Sequence, residues 1–162
     1  MSSSSINYPL LSIPAYYLFS IVPHIYAQSL LATSGYKINA ADPKSSIAPE
    51  RLKGKVPEAV LGKVQRAEAA QNNNYEQQAL FAVAVLSSVF AQKLTAAGLV
   101  GGDEDVTGLK TFIAAFFAAR SAYVISYIQI ASPSKAPIRS AFYTVGAVLS
   151  FYQIYKAATL LG

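Results

Sequence analysis

The sequence predicts an all-α integral membrane fold, a bundle of four transmembrane helices in a single domain over residues 1–162. Charged residues make up only 13% of the chain against 53% hydrophobic ones, where soluble domains carry about 25% charge. The charge is withheld from long runs: residues 1–36 contain no Lys, Arg, Asp or Glu. Four such runs approach or exceed the roughly 20 residues that a bilayer core requires.

The first span is expected over residues 10–31. It lacks a positive amino-terminal region, and Pro9, Pro14 and Pro23 interrupt it, so it reads as a retained helix rather than a cleaved signal. The four serines at residues 2–5 read as a short disordered end. Gly35 closes the helix, and residues 35–57 are expected to form a loop broken by Asp42-Pro43, Pro49 and Gly54. Pro57 suits a helix first turn, with Glu58 beside the positive helix end. Apart from Gly62, no breaker follows until Gly98, so one helix of about 40 residues, about 60 Å long, is expected. Its first half projects into the cytoplasmic interface. Its second half, residues 79–97, is the second span, with Lys93 near enough to the end to snorkel. Gly98, Gly101 and Gly102 end it. The third span is residues 111–130, interrupted by Arg120. Ser132 to Pro137 is a turn, and the fourth span is residues 138–161, between Arg139 and Lys156.

Orientation follows from the cations. Seven of the thirteen basic residues lie between Lys37 and Arg66, which makes that loop cytoplasmic by the positive-inside rule. The next loop carries Asp103, Glu104 and Asp105, and the third carries Lys135. Both termini then fall on the lumenal side. This clustering, rather than the net charge of +5, argues against nucleic acid as a partner. The chain has no cysteine, so any thiol chemistry must use a ligand's thiol. The lone His24 reads as a packing or interfacial residue, not a metal ligand. No repeat and no Walker, Rossmann or zinc-hydrolase pattern occurs.

Polar residues inside such helices are functional candidates by default, because they are costly without a partner. Arg66, Asn73, Glu76 and Gln77 recur at helical spacing on one face. Arg120, Tyr123 and Tyr127 do the same on the third span. Arg120 lies near mid-span and needs a partner, for which Glu76 is the expected acid. The pair could serve helix packing alone. Arg139 sits at the cytoplasmic mouth, with Tyr143 one turn deeper, and an anchor by the positive-inside rule is the competing reading. Tyr8, Tyr16, Tyr17, Tyr152 and Tyr155 are assigned to the membrane interfaces.

Three segments, Arg66-Ala-Glu-Ala-Ala-Gln71-Asn-Asn73-Asn-Tyr-Glu76, Ala-Arg120-Ser-Ala-Tyr123-Val-Ile-Ser-Tyr127 and Ala136-Pro-Ile-Arg139-Ser140-Ala-Phe-Tyr143-Thr, together resemble the MAPEG family, the membrane-associated proteins in eicosanoid and glutathione metabolism. The third looks most like the prostaglandin E synthase branch, and the Gln71, Asn73, Glu76 pattern looks like the leukotriene C synthase branch. The resemblance implies a homotrimer in an intracellular membrane, expected to be the endoplasmic reticulum, with glutathione as cosubstrate bound between subunits near the cytoplasmic side. It implies glutathione contacts at Gln71, Asn73, Glu76, Tyr123 and Tyr127, with Arg120 buried nearby; where the family's cation is missing, Arg66 or a loop lysine is expected to bind the glutathione carboxylate. It also implies that Arg139 stabilises the thiolate; Tyr143, one turn deeper, is expected to line the substrate pocket beside it. The expected activity is conjugation or isomerisation of a lipophilic electrophile drawn from the bilayer. A lipid-binding, non-catalytic member of the same fold is the alternative. Two departures stand out. Ala69 occupies a position where many members carry an arginine, and the turn from Tyr127 to Arg139 is about three residues longer than in the prostaglandin-synthase branch.

Overall fold

A computed structural model describes residues 6–98 and 105–162, with residues 96–98 described by backbone alone. The serines at 2–5 and Gly101, Gly102, Asp103 and Glu104 lie outside the described residues. Among those described, all regular structure is helical: α1 (Tyr8–Thr33), α2 (Pro43–Ser46), α3 (Pro49–Leu52), α4 (Glu58–Gly98), α5 (Leu109–Gln129) and α6 (Ala136–Leu161), with a 3-10 turn at Pro133–Lys135. The long helices α1, α4, α5 and α6 form the bundle. Helix α4 packs against each of the other three.

The ends of these helices follow from local chemistry. The Asn7 side chain accepts from the Leu10 amide at 3.2 Å and caps α1. Gly35, at φ +80°, turns the chain out of it. Pro14 and Pro23 lie inside α1, as membrane helices allow where neighbours satisfy the backbone. Helix α4 runs 41 residues, matching the length that Pro57 and Gly98 delimit. The Asp105 carboxylate accepts from the Leu109 and Lys110 amides at 2.7 and 2.8 Å and holds the start of α5. Asp105 also accepts from Gln92, which reaches Thr107 as well, and Gln153 of α6 donates to Ser88 at 2.9 Å. Buried polar groups thus tie α4 to the start of α5 and to α6.

Apolar residues line the outside as well as the core. Leu11, Leu18, Val22 and Ile25 of α1, Val83, Leu86, Phe90 and Leu94 of α4, and Val145, Val148 and Phe151 of α6 are exposed. A surface of that kind suits lipid or a neighbouring subunit. Three helices, α1, α4 and α5, are long and apolar enough to cross a membrane. Helix α6 has 26 residues, but Arg139, Ser150, Gln153 and Lys156 lower its hydropathy.

Two expectations change here. Tyr16 does not sit at an interface. It is fully buried among Phe19, Phe81, Phe116 and Phe117, and its hydroxyl donates to the Asn74 carbonyl at 3.1 Å. A tyrosine can be buried when its hydroxyl finds such an acceptor. Nor is the segment after α1 a bare loop. It folds into α2 and α3, and Leu52 and Val56 pack into a core with Ala27, Leu31 and Ile128, flanked by Tyr36, Ile38 and Ile47. His24 does act as a packing residue, but as a polar one. Its Nδ1 lies 2.7 Å from Glu68 Oε1, joining α1 to α4, and its Nε2 lies 2.8 Å from the Gln28 amide.

Candidate functional site

The α4–α5–α6 interface gathers most of the polar residues singled out in the sequence. At its centre lies Arg120 of α5, wholly buried. Its Nε donates to Asn74 Oδ1 at 3.1 Å, its Nη2 donates to the same oxygen, and Nη2 also reaches the Asn73 carbonyl at 3.2 Å. The guanidinium lies 4.2 Å from the Tyr123 ring centre and 5.3 Å from that of Tyr143. Both aromatic faces help offset the charge.

The expected Arg120–Glu76 pair is not formed. Residues 74 and 76 point about 200° apart around a helix. Asn74 and Gln77 face inward and are buried, while Glu76 faces outward and is exposed. Glu76 instead accepts from the Tyr143 hydroxyl at 3.3 Å. Arg120 is therefore held by neutral acceptors, and among the described residues no carboxylate forms an ion pair with it. Its Nη1, with Asn74 Nδ2 and Gln77 Oε1, has no hydrogen-bond partner within the chain. Asn74 is the residue that sequence reasoning missed. It hid in the run Asn72-Asn73-Asn74, of which only Asn73 was marked.

From Arg120 an aromatic strip leads to the helix ends. Tyr143, Tyr123 and Tyr127 follow in sequence, with ring centres 5.7 and 5.4 Å apart. Asn73 donates its amide to the Tyr123 hydroxyl. The Arg139 guanidinium lies 4.6 Å from the Tyr127 ring centre, and its Nη1 makes a long contact of 3.4 Å with the Ile130 carbonyl. Arg66 Nε donates to the Ile128 carbonyl at 2.9 Å. Two cations thus meet the carbonyl end of α5, where the helix dipole favours positive charge. Despite the longer turn, Arg139 returns to the aromatic strip.

Gln71 does not join this group. It donates to the Tyr75 hydroxyl at 3.2 Å, and Tyr75 stacks toward Tyr17 of α1 at 5.9 Å. Asn73, Glu76, Arg120, Tyr123, Tyr127, Arg139 and Tyr143 form one connected set. Arg66 borders it at the α5 end.

The chain matches the MAPEG family over residues 13–159. It belongs to that family. It is thereby an integral membrane protein of a family that includes glutathione transferases and synthases. Comparison with curated proteins and with solved structures gave no match. As a MAPEG protein it exposes a carboxylate, Glu76, two turns before an apolar helix face that includes Val83 and Leu86. In a membrane such a group requires water, a ligand or a partner chain.

Proposed function

We propose that this MAPEG protein is a glutathione-dependent membrane transferase acting on a lipophilic electrophile, and that it works as a homotrimer of four-span subunits in the endoplasmic reticulum. The observation that carries the reading is the strip Tyr143–Tyr123–Tyr127, bordered by Arg120, Arg139 and the exposed Glu76. Glutathione carries two carboxylates, one ammonium and a thiol. Arg66 at the border of the site supplies positive charge for a carboxylate, the buried Arg120 adds its field from beneath without touching the ligand, and Glu76 supplies negative charge for the ammonium. Asn73 and Tyr127 offer neutral hydrogen bonds. Arg139, beside Tyr127 at the cytoplasmic mouth, favours the thiolate over the thiol. A thiol pKa near 8.5 falls beside a guanidinium, and arginine keeps its charge in apolar surroundings. The thiol proton passes to solvent and the thiolate sulfur forms a bond to the electrophilic carbon. The carbon–heteroatom or π bond at that carbon breaks, and its electron pair stays on the leaving group or the adjacent atom, which takes up a proton from solvent. Tyr143 lines the path of the lipid-borne substrate.

Gln71 supports the trimer. It lies on a different side of α4 from Glu76, so it can serve a glutathione bound to the neighbouring subunit. The exposed position of Glu76 suits a site closed by a second chain. Titration of glutathione into the purified protein, followed by thiolate absorbance, tests the function, and absence of binding at millimolar concentration would refute it. Mass measurement corrected for bound detergent is expected to give three copies, and a fully active monomer would sink that part.

Tags at the two termini of the chain in sealed microsomes are expected to be protected from added protease, and a tag between Lys37 and Arg66 to be cleaved. A cleaved amino-terminal tag would contradict the orientation. Glu76→Gln is expected to weaken glutathione binding while changing stability by less than about 0.5 kcal/mol, because Glu76 is exposed and pairs with no buried cation. Calorimetric titration and thermal unfolding in detergent read the two effects separately.

One feature favours the non-catalytic reading. A hollow of about 510 Å³, lined by Leu10, Leu86, Ser87, Val89, Phe90 and Lys93, is almost wholly apolar and shares no residue with the Arg139 group. It suits an acyl chain. Together with Ala69 it supports a lipid-presenting protein, a reading that glutathione binding would displace.

A further inference from the structure

The segment between α1 and α4 holds a second hollow, unrelated to the aromatic strip. Its volume is about 190 Å³, and it is lined by Tyr36, Lys37, Asn39, Asp42, Ser45, Ser46, Arg51 and Lys55. Three cations face it against the single carboxylate of Asp42. Among the described residues none of Lys37, Arg51 and Lys55 forms an ion pair. Asp42 is occupied otherwise, accepting from the Ser45 amide at 3.3 Å.

The hollow is built rather than incidental. The Tyr36 hydroxyl donates to the Ser46 carbonyl at 2.7 Å, closing one wall across ten residues. Asn39 accepts from the Ala41 amide at 3.0 Å. Gly54, at φ +74°, reverses the chain after α3, so that Lys55 returns to the rim that Arg51 occupies. Beneath, Leu52 and Val56 are buried in the same core as Ile128, with Tyr36, Ile38 and Ile47 against them. Lys37, Arg51 and Lys55 are exposed, but the packed floor fixes the backbone that carries them around one rim, where they repel one another unless an anion joins them. They would scatter freely on a mobile loop.

We propose that this cup is an oxyanion site for a phosphate-bearing group, of the kind presented by a phospholipid headgroup or by free phosphate. Arginine and lysine together suit phosphate, the first by paired hydrogen bonds and the second as a point charge. The cup has room for a headgroup and not for acyl chains. It lies just beyond the end of α1, a helix long and apolar enough to cross a membrane. In the orientation proposed above, α1 ends at the cytoplasmic leaflet, which carries the anionic lipids.

The test uses the full-length protein in neutral detergent, with short-chain phosphatidic acid as probe and calorimetry as readout. A cation near such a headgroup contributes about fivefold in affinity. Arg51→Gln is therefore expected to weaken binding about fivefold, and Lys37→Ala/Arg51→Ala/Lys55→Ala about a hundredfold. Lys44→Ala/Lys53→Ala/Lys63→Ala removes the same charge from positions outside the cup and is expected to cost less than about fivefold. Equal losses in the two triple variants would overturn the proposal, as would unchanged binding in both. The single variant keeps the test decisive if a triple variant fails to fold. Inorganic phosphate is the second probe: displacement of the lipid identifies a general phosphate site, and no displacement identifies a headgroup site. Displacement by glutathione would make the cup part of the glutathione site and overturn it as a separate one. Glutathione binding that fails altogether tests the proposed function and leaves this reading intact.

Discussion

Asn74→Leu is expected to destabilise the protein by about 3–5 kcal/mol, the usual cost of stranding a buried charge. Arg120 is fully buried, and Asn74 Oδ1 accepts from both its Nε and its Nη2. The leucine would leave the guanidinium with the Asn73 carbonyl and the faces of Tyr123 and Tyr143 alone. The double variant Asn74→Leu/Arg120→Met removes the charge with its acceptor and is expected to recover most of the loss, because an apolar replacement of both partners is often neutral. Thermal unfolding in detergent across the four-member cycle measures it. A single variant that loses less than about 1 kcal/mol would mean that another group holds Arg120.

The neutrality of Asn74 has a consequence for binding. A carboxylate at this position would cancel the field of Arg120. An amide leaves the full charge available to an anion at the aromatic strip. Gly146 of α6 permits the close packing around it, since a methyl group there would meet Arg120 Cδ at 3.3 Å and Gln77 Oε1 at 3.6 Å.

The long-range pattern of the fold was legible in the sequence. Uncharged runs located the helices, and Pro57 and Gly98 bounded α4 to within a residue. The i, i+3, i+7 spacing placed Arg120, Tyr123 and Tyr127 on one face, and the structure sets Arg139 against Tyr127 and Tyr143 against Tyr123. What failed was rotation within α4. Charge complementarity chose Glu76 for Arg120, but helix packing turned Asn74 and Gln77 inward and Glu76 out. A helical wheel fixes which residues share a face and leaves open which face meets the neighbour. The same limit hid Tyr16. Tyrosine suits both an interface and a core with an acceptor, and only the Asn74 carbonyl distinguishes the two. The folded segment after α1 was obscured by its prolines and lysines. Its order rests on Leu52 and Val56, which look unremarkable in so polar a stretch.

Arg139→Ala is expected to lower turnover about a hundredfold, the cost typical of removing one donor that stabilises a reacting anion. Three arginines lie at the site, and their surroundings divide their roles. Arg120 is enclosed by α4, α5 and α6, too deep to meet a soluble thiol. Arg66 has its Nε committed to Ile128. Arg139 is half-buried at the start of α6, held by one long contact to Ile130 and the face of Tyr127. Most of its donors remain uncommitted to the chain, and in the proposed orientation it faces the cytoplasmic mouth, where a water-borne thiol would meet a lipid-borne electrophile. If the guanidinium lowers the pKa of bound glutathione by about one unit, its loss removes about 1.4 kcal/mol of preference for the thiolate before any effect on the transition state. Thiolate absorbance against pH should then shift upward in Arg139→Ala, with stability nearly unchanged. Arg139→Lys should restore part of the thiolate and less of the turnover, because an ammonium supplies charge without the planar fork. A variant with unchanged thiolate pKa and unchanged turnover would reduce Arg139 to an anchor at the membrane surface and leave the lipid-binding reading in front.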